Sequence, residues 1–147
     1  YFIAVGHAEG SSDLNAFDGA LASASIGNIN IIKMSSILPP ECQEVMPVLF
    51  PPGALVPTAY GTIASKEPNR IISAAVAIAF PEDENYPGLI MEAGEFGSRQ
   101  EVEKMVRQMA IEGMEMRGKP IQKIISRSVE HRVKQHGAVI AAVVLWN

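Results

Sequence analysis

The run Ile71 to Phe80, Ile-Ile-Ser-Ala-Ala-Val-Ala-Ile-Ala-Phe, constrains the fold of this chain more than any other stretch. It carries one hydroxyl, no charge and many small residues, so it reads as a strand buried on both faces. Around it lie further strand runs and only two helices. Tyr1 to Val5 reads as a short strand ending at Gly6, and Asn28 to Met34, Gly53 to Ser65 and Tyr86 to Glu92 as three more. Lys66 to Arg70, with Pro68 and Asn69, is a turn. Ile121 to Val133 and Ala138 to Trp146, separated by Gln135-His136-Gly137, read as a β-hairpin.

In the first helix Leu14, Phe17, Leu21 and Ala24 recur at helical spacing. Ser11, Ser12 or Asp13 can cap its start, and Gly27 is placed to end it. The second helix opens with a capping box, Ser98 and Glu101. One face carries Val102, Met105, Val106, Met109, Ala110, Gly113 and Met116, and the helix stops near Gly118-Lys119-Pro120. Its methionines read as core packing. Strand runs with two helices point to an α+β sandwich.

With 147 residues the chain is expected to be one domain, residues 1–147, and 48% hydrophobic residues can bury a substantial core. A net charge of −4 without any basic run argues against nucleic acid or an anionic membrane surface as partner. No apolar stretch reaches the roughly eighteen residues of a membrane span, and no signal peptide is visible. A lone Cys42 cannot form an internal disulfide and reads as an inert thiol, compatible with the expected cytoplasmic location. His7, His131 and His136 lack metal-type spacing, so no metal is expected. Gly6 and Gly10 lack the following Lys-Ser or Lys-Thr of a phosphate loop.

Met34-Ser35-Ser36-Ile37, between the apolar run Ile29 to Ile32 and Leu38-Pro39-Pro40-Glu41, carries the chemistry. A serine just past a strand can attack the preceding carbonyl, turning the amide into an ester, if the oxyanion is stabilised and the geometry held. β-Elimination of that ester then leaves dehydroalanine, which hydrolyses to ammonia and an N-terminal pyruvoyl group. An isolated Ser-Ser pair is far more often an ordinary turn. The surrounding segments decide the matter: Leu14 to Leu21, Gly27 to Asn30, Ser35 to Pro40, Gly53 to Gly61, Gly88 to Glu92, Glu130-His131 and Ala141 to Trp146. Taken in order, they resemble the pyruvoyl-dependent arginine decarboxylases over nearly the whole chain.

The resemblance implies a four-layer αββα sandwich, cut into a β chain of residues 1–35 and an α chain starting at Ser36, and assembled as a homotrimer with active sites between neighbours. It implies decarboxylation of L-arginine to agmatine, a polyamine precursor, through a Schiff base on the covalent pyruvoyl group, with no pyridoxal phosphate. Ser36 would be the pyruvoyl precursor, Glu92 the proton donor and Asn30 a donor supporting self-processing near the Ser35 carbonyl. Asp18 would receive the substrate guanidinium and Leu14 would line the apolar part of that pocket. From residue type alone, Asn30 is equally a strand-edge residue, Asp18 a boundary carboxylate paired within the chain, and Glu92 a strand-end acid. Alternatives are decarboxylation of another amino acid such as histidine, or an unprocessed, non-catalytic trimeric relative. Lys33-Met34-Ser35-Ser36 also resembles the Lys-Met-Ser signature of class I aminoacyl-tRNA synthetases, but no His-x-Gly-His partner accompanies it.

Overall fold

The doubly buried run is strand β5 (Ile71–Pro81) in the computed structural model, which describes residues 1–146. Its side chains alternate between two cores. Ile72, Ala74, Val76 and Ile78 enter the layer between two sheets, while Ala75, Ala77 and Ala79 face helix α2 (Arg99–Met116). The first sheet orders β1 (Phe2–Glu9), β8 (Gly137–Val144), β4 (Leu55–Ser65) and β2 (Asn30–Lys33). The second orders β3 (Ile37–Leu38), β6 (Gly88–Phe96), β5 and β7 (Ile121–Arg132). Helix α1 (Asp13–Ser23) covers the outer face of the first sheet, packing Ala16, Ala20 and Leu21 over Phe2, Ala4, Ile140 and Ala142. The layers are therefore α1, first sheet, second sheet, α2: the αββα sandwich expected.

Several elements depart from the sequence reading. The expected hairpin of the last two strands does not form. β7 pairs with β5 in the second sheet, whereas β8 lies between β1 and β4 in the first. Their polarity explains the separation: all of β8 is buried and needs a central place, while β7 mixes apolar with polar and charged residues, none of them fully buried, and suits an edge. β1 runs past Gly6 to Glu9. A Cβ on Gly6 would stand 2.2 Å from the Ala20 carbonyl oxygen, so this glycine admits α1 to the sheet rather than ending the strand. β6 continues beyond Glu92 to Phe96, and β2 is shorter than expected, beginning at Asn30 and ending at Lys33.

Of the three possible caps of α1, Ser12 serves, accepting the Asn15 N–H at 3.1 Å. The helix ends at Ser25 (φ +63°) rather than Gly27. The N–H groups of Ser25 and Ile26 return to the carbonyls of Ala22 and Leu21, both at 3.0 Å, and Ile26 is buried in the same core as Leu21. In α2 the capping box and the Gly118 stop (φ +62°) are present as expected. Its methionines are not uniformly core. Met114 is buried, but Met105 and Met116 are exposed, because about 100° per residue sets them on the flank of the stripe made by Val102, Val106, Ala110 and Gly113.

Candidate active site at the sheet crossing

β2 and β3 are edge strands of different sheets, and only Met34, Ser35 and Ser36 connect them. Packed sheets lie about 10 Å apart, and the four Cα steps from Lys33 to Ile37 reach about 14 Å at most, so the crossing has little slack. It turns into β3 through Ser36 at φ +69°, a left-handed conformation that costs a non-glycine residue about 1–2 kcal/mol. The carbonyl of Ser36 accepts the Ile90 N–H at 2.9 Å, and Ile37 and Leu38 pair with Leu89 and Gly88. Residue 36 is thereby fixed to β6, while residues 1–35 are held in the first sheet by β1 and β2.

The Ser36 hydroxyl donates to the Glu92 carboxylate, with both oxygens at 2.9 Å. Glu92 lies on the same face of β6 as Ile90 and so points into the gap between the sheets, where its side chain is 14% exposed. Its second partner comes from the opposite sheet: Lys33 Nζ stands 3.0 Å from Oε1. The same ammonium donates to the Tyr60 carbonyl and lies 4.4 Å from the centre of the Tyr60 ring. Ser36 and Glu92, 56 residues apart, are thus brought into contact as a serine–carboxylate pair with a cation behind the carboxylate.

The remaining expected site residues are elsewhere. Asn30 opens β2, where its side-chain amide donates to the Gly53 carbonyl at 2.9 Å, and no hydrogen bond joins it to Ser35. Asp18 and Leu14 are exposed on α1, on the outer side of the first sheet. Asp18 borders a cavity of about 410 Å³ with Ile26, Asn28, Ile29 and Phe50, and among the described residues it makes no ion pair. Lys33 and Tyr60 were missed as site residues. The signal for Lys33 was a single charge interrupting an apolar strand three residues before Ser36, and for Tyr60 there was none.

The histidines gather at the far end of the sandwich. His131 Nε2 lies 2.5 Å from Glu9, its Nδ1 lies 2.9 Å from His7 Nδ1, and His136 contacts Asp13 at 3.1 Å. Among the described residues no group of three or more His, Cys, Asp or Glu is placed to hold a metal ion. Cys42 is a half-buried free thiol. No described helix is long and apolar enough to cross a membrane.

A solved pyruvoyl-dependent histidine decarboxylase shares this fold, with a TM-score of 0.56 at 13% identity. The match covers 66% of this chain and about half (52%) of that structure. The fold is that of the pyruvoyl-dependent decarboxylases. The sequence narrows the class, since residues 1–147 match the family Pyruvoyl-dependent arginine decarboxylase (PvlArgDC). The pyruvoyl-dependent arginine decarboxylase of Methanocaldococcus jannaschii is 51% identical over 144 residues, covering 98% of this chain and 87% of that protein. That of Methanococcus aeolicus is 46% identical with the same coverage, and that of Pyrococcus abyssi is 42% identical over 95% of this chain and 89% of its own. The chain belongs to the pyruvoyl-dependent arginine decarboxylase family.

Proposed function

We propose that this chain cuts itself between Ser35 and Ser36, turns the former Ser36 into a pyruvoyl group, and uses it to decarboxylate L-arginine to agmatine and carbon dioxide. The observation that carries this reading is the Ser36 hydroxyl held against Glu92, on a residue in a strained backbone conformation where the chain crosses from β2 to β3. The serine that must become the group is present and its hydroxyl is aimed at a base, so the residues fit the group that the family name implies.

Glu92 takes the Ser36 proton as Oγ bonds to the Ser35 carbonyl carbon. The Ser35–Ser36 C–N bond breaks and the freed nitrogen takes a proton, leaving an ester. Loss of the residue 36 α-proton breaks the Cβ–Oγ bond and releases Ser35 as a carboxylate. Water then replaces nitrogen, which leaves as ammonia. Once formed, the pyruvoyl carbonyl supplies an electrophile that binds a substrate amine and accepts the electron pair freed as carbon dioxide leaves. Glu92, on the same spot, supplies the proton that the substrate α-carbon then needs. The β2–β4, β1–β8 and β3–β6 pairings keep residues 1–35 and 36–147 together after the cut.

In this reading Asp18 binds the guanidinium and Leu14 the aliphatic part of arginine, supplied by a neighbouring subunit of a homotrimer. The exposed Leu14, Ile32, Leu49 and Leu55, and the unpaired outer edge of β2, support an assembly that covers this side. Mass spectrometry of the purified protein under denaturing conditions tests the first step. Two fragments are expected, 1–35 and 36–147, the second with a keto-blocked terminus, and Ser36→Ala should stay whole. A single full-length mass in a protein that releases carbon dioxide from arginine would rule out the pyruvoyl chemistry. Parallel assays with arginine, histidine, lysine, ornithine and aspartate decide the substrate.

A further inference from the structure

We infer that Lys33 is a positioning residue for Glu92: it holds that carboxylate in register with the Ser36 hydroxyl so that self-cleavage can begin. The inference rests on the Ser35–Ser36 cleavage reading and deepens it. A carboxylate that takes a proton from a serine must keep an oxygen against that hydroxyl, and Glu92 does so from the gap between the two sheets. The Lys33 ammonium lies 3.0 Å from Oε1, close enough for a charge-assisted hydrogen bond.

Lys33 is itself well fixed. It is anchored by the Tyr60 carbonyl and by the face of the Tyr60 ring, and its backbone is held in parallel register with β4, Lys33 opposite Thr58. The ammonium therefore spans from the first sheet to a carboxylate of the second, across the gap that the scissile segment also spans. No other charged side chain among the described residues contacts Glu92. β5 places Val76 beside it, β4 contributes the Tyr60 carbonyl to Lys33, and the β2–β3 crossing contributes only the Ser36 hydroxyl.

The contact acts on geometry. With Oε1 tied to Lys33, the Glu92 carboxylate is held facing the Ser36 hydroxyl, and loss of that charge-assisted hydrogen bond leaves it free to rotate away. Removing the ammonium should therefore slow self-cleavage, and a cation that can make the same bond should restore it.

The test follows cleavage of freshly refolded precursor by denaturing electrophoresis at pH 5–9 for wild type, Lys33→Met, Lys33→Arg and Glu92→Gln, and for the Lys33→Met/Glu92→Gln double variant. Lys33→Met should cleave about tenfold more slowly than wild type, as loss of a charge-assisted hydrogen bond implies. Lys33→Arg should restore most of the rate. In the Glu92→Gln background the Lys33 change should have no further effect, since the carboxylate through which it acts is gone. Circular dichroism of each precursor checks folding, and Lys33→Arg keeps the outcome decidable if Lys33→Met does not fold. A Lys33→Met profile superimposable on wild type, a Lys33→Arg variant as slow as Lys33→Met, or an undiminished Lys33 effect without Glu92 would overturn the inference. An uncleaved wild-type chain would instead overturn the cleavage reading on which it rests.

Discussion

A pair of glycines beside the candidate site, Gly61 and Gly94, leaves room for the two sheets to approach there, and adding one methyl group should loosen both the fold and the chemistry. A Cβ built on Gly94 of β6 would stand 2.3 Å from the Thr62 carbonyl carbon and oxygen of β4, and one on Gly61 would stand 2.5 Å from the Ala93 backbone. Ordinary contact begins at 3.4 Å, so Gly94→Ala requires β4 and β6 to part by 3.4 − 2.3 = 1.1 Å. The obstacles are backbone atoms of central strands, which cannot rotate away, so the cost belongs at the upper end of overpacking, about 3 kcal/mol. Gly94 does not have a positive φ, and alanine returns about 0.4–1 kcal/mol by restricting the unfolded chain. The net loss is about 2 kcal/mol, a fall in Tm of about 4–8 °C for a chain of this size.

The same displacement acts on the site. Tyr60, which anchors Lys33, precedes Gly61, and Glu92 lies two residues before Gly94 on the same face. Parting the sheets should stretch the 3.0 Å Lys33–Glu92 contact to about 4 Å, beyond hydrogen-bonding range, and slow Ser35–Ser36 cleavage by about tenfold. Gly118→Ala is the control. A Cβ there meets nothing within 4 Å, but φ is +62°, so it should cost about 1–2 kcal/mol through backbone strain and leave cleavage unchanged. Thermal unfolding and the cleavage time course of the three precursors check this. A Gly94→Ala protein within about 0.5 kcal/mol of wild type, or one that cleaves as fast as Gly118→Ala, refutes the reasoning.

Two further outcomes are expected. Partial burial of Glu9 favours the neutral acid, but the N–H of Gln135, the His131 ring and the N–H of Lys134 outweigh it and hold the carboxyl below the usual carboxylate range. A lowered folded value means that Glu9 adds stability above the unfolded value of about 4.5, which is lost as acid carries the pH through the lower folded value. Glu9→Gln should therefore lower Tm at pH 7, by about 1–2 kcal/mol of stability, and converge on wild type at strongly acid pH. A gap between the two that stays constant from pH 7 to pH 3 contradicts this assignment. Asp18→Asn should cleave normally yet raise KM for arginine about ten- to a hundredfold, by loss of the bidentate carboxylate–guanidinium pairing. Steady-state kinetics on the cleaved variant decide it, and an unchanged KM removes Asp18 from the guanidinium site.

The individual elements of the fold were legible because they depend on periodicity, whereas their stacking into four layers came from the family resemblance. Ile71 to Phe80 announced a strand covered on both sides, and Ser98 with Glu101 announced the second helix to the residue. Sheet membership was not legible, since it depends on competition among strands that local pattern does not record. Gln135-His136-Gly137 suits a hairpin turn, yet the chain uses that corner to step from the second sheet to the first, and Glu9 of β1 holds the step by accepting the N–H groups of Lys134 and Gln135. Gly6, Gly61 and Gly94 likewise say nothing in one dimension about the backbones that approach them.

The candidate site repeats this division. Ser36 and Glu92 were named from their segments and the structure places them in contact, but what joins them is the step from one sheet to the other, which sequence spacing does not encode. That step also explains why a bond here can be spent without loss of the fold. The strands on either side of it already have partners: β2 on β4 and β1 on β8 in one sheet, β3 on β6 in the other. The crossing residues themselves contribute one backbone hydrogen bond on each side, Met34 N–H to the Thr58 carbonyl at 3.3 Å and Ile90 N–H to the Ser36 carbonyl at 2.9 Å. Neither uses the Ser35 carbonyl or the Ser36 N–H, the two groups that the proposed cut would separate. Breaking that amide therefore costs no pairing, releases the left-handed strain at Ser36, and leaves residue 36 fastened to the strand that carries Glu92.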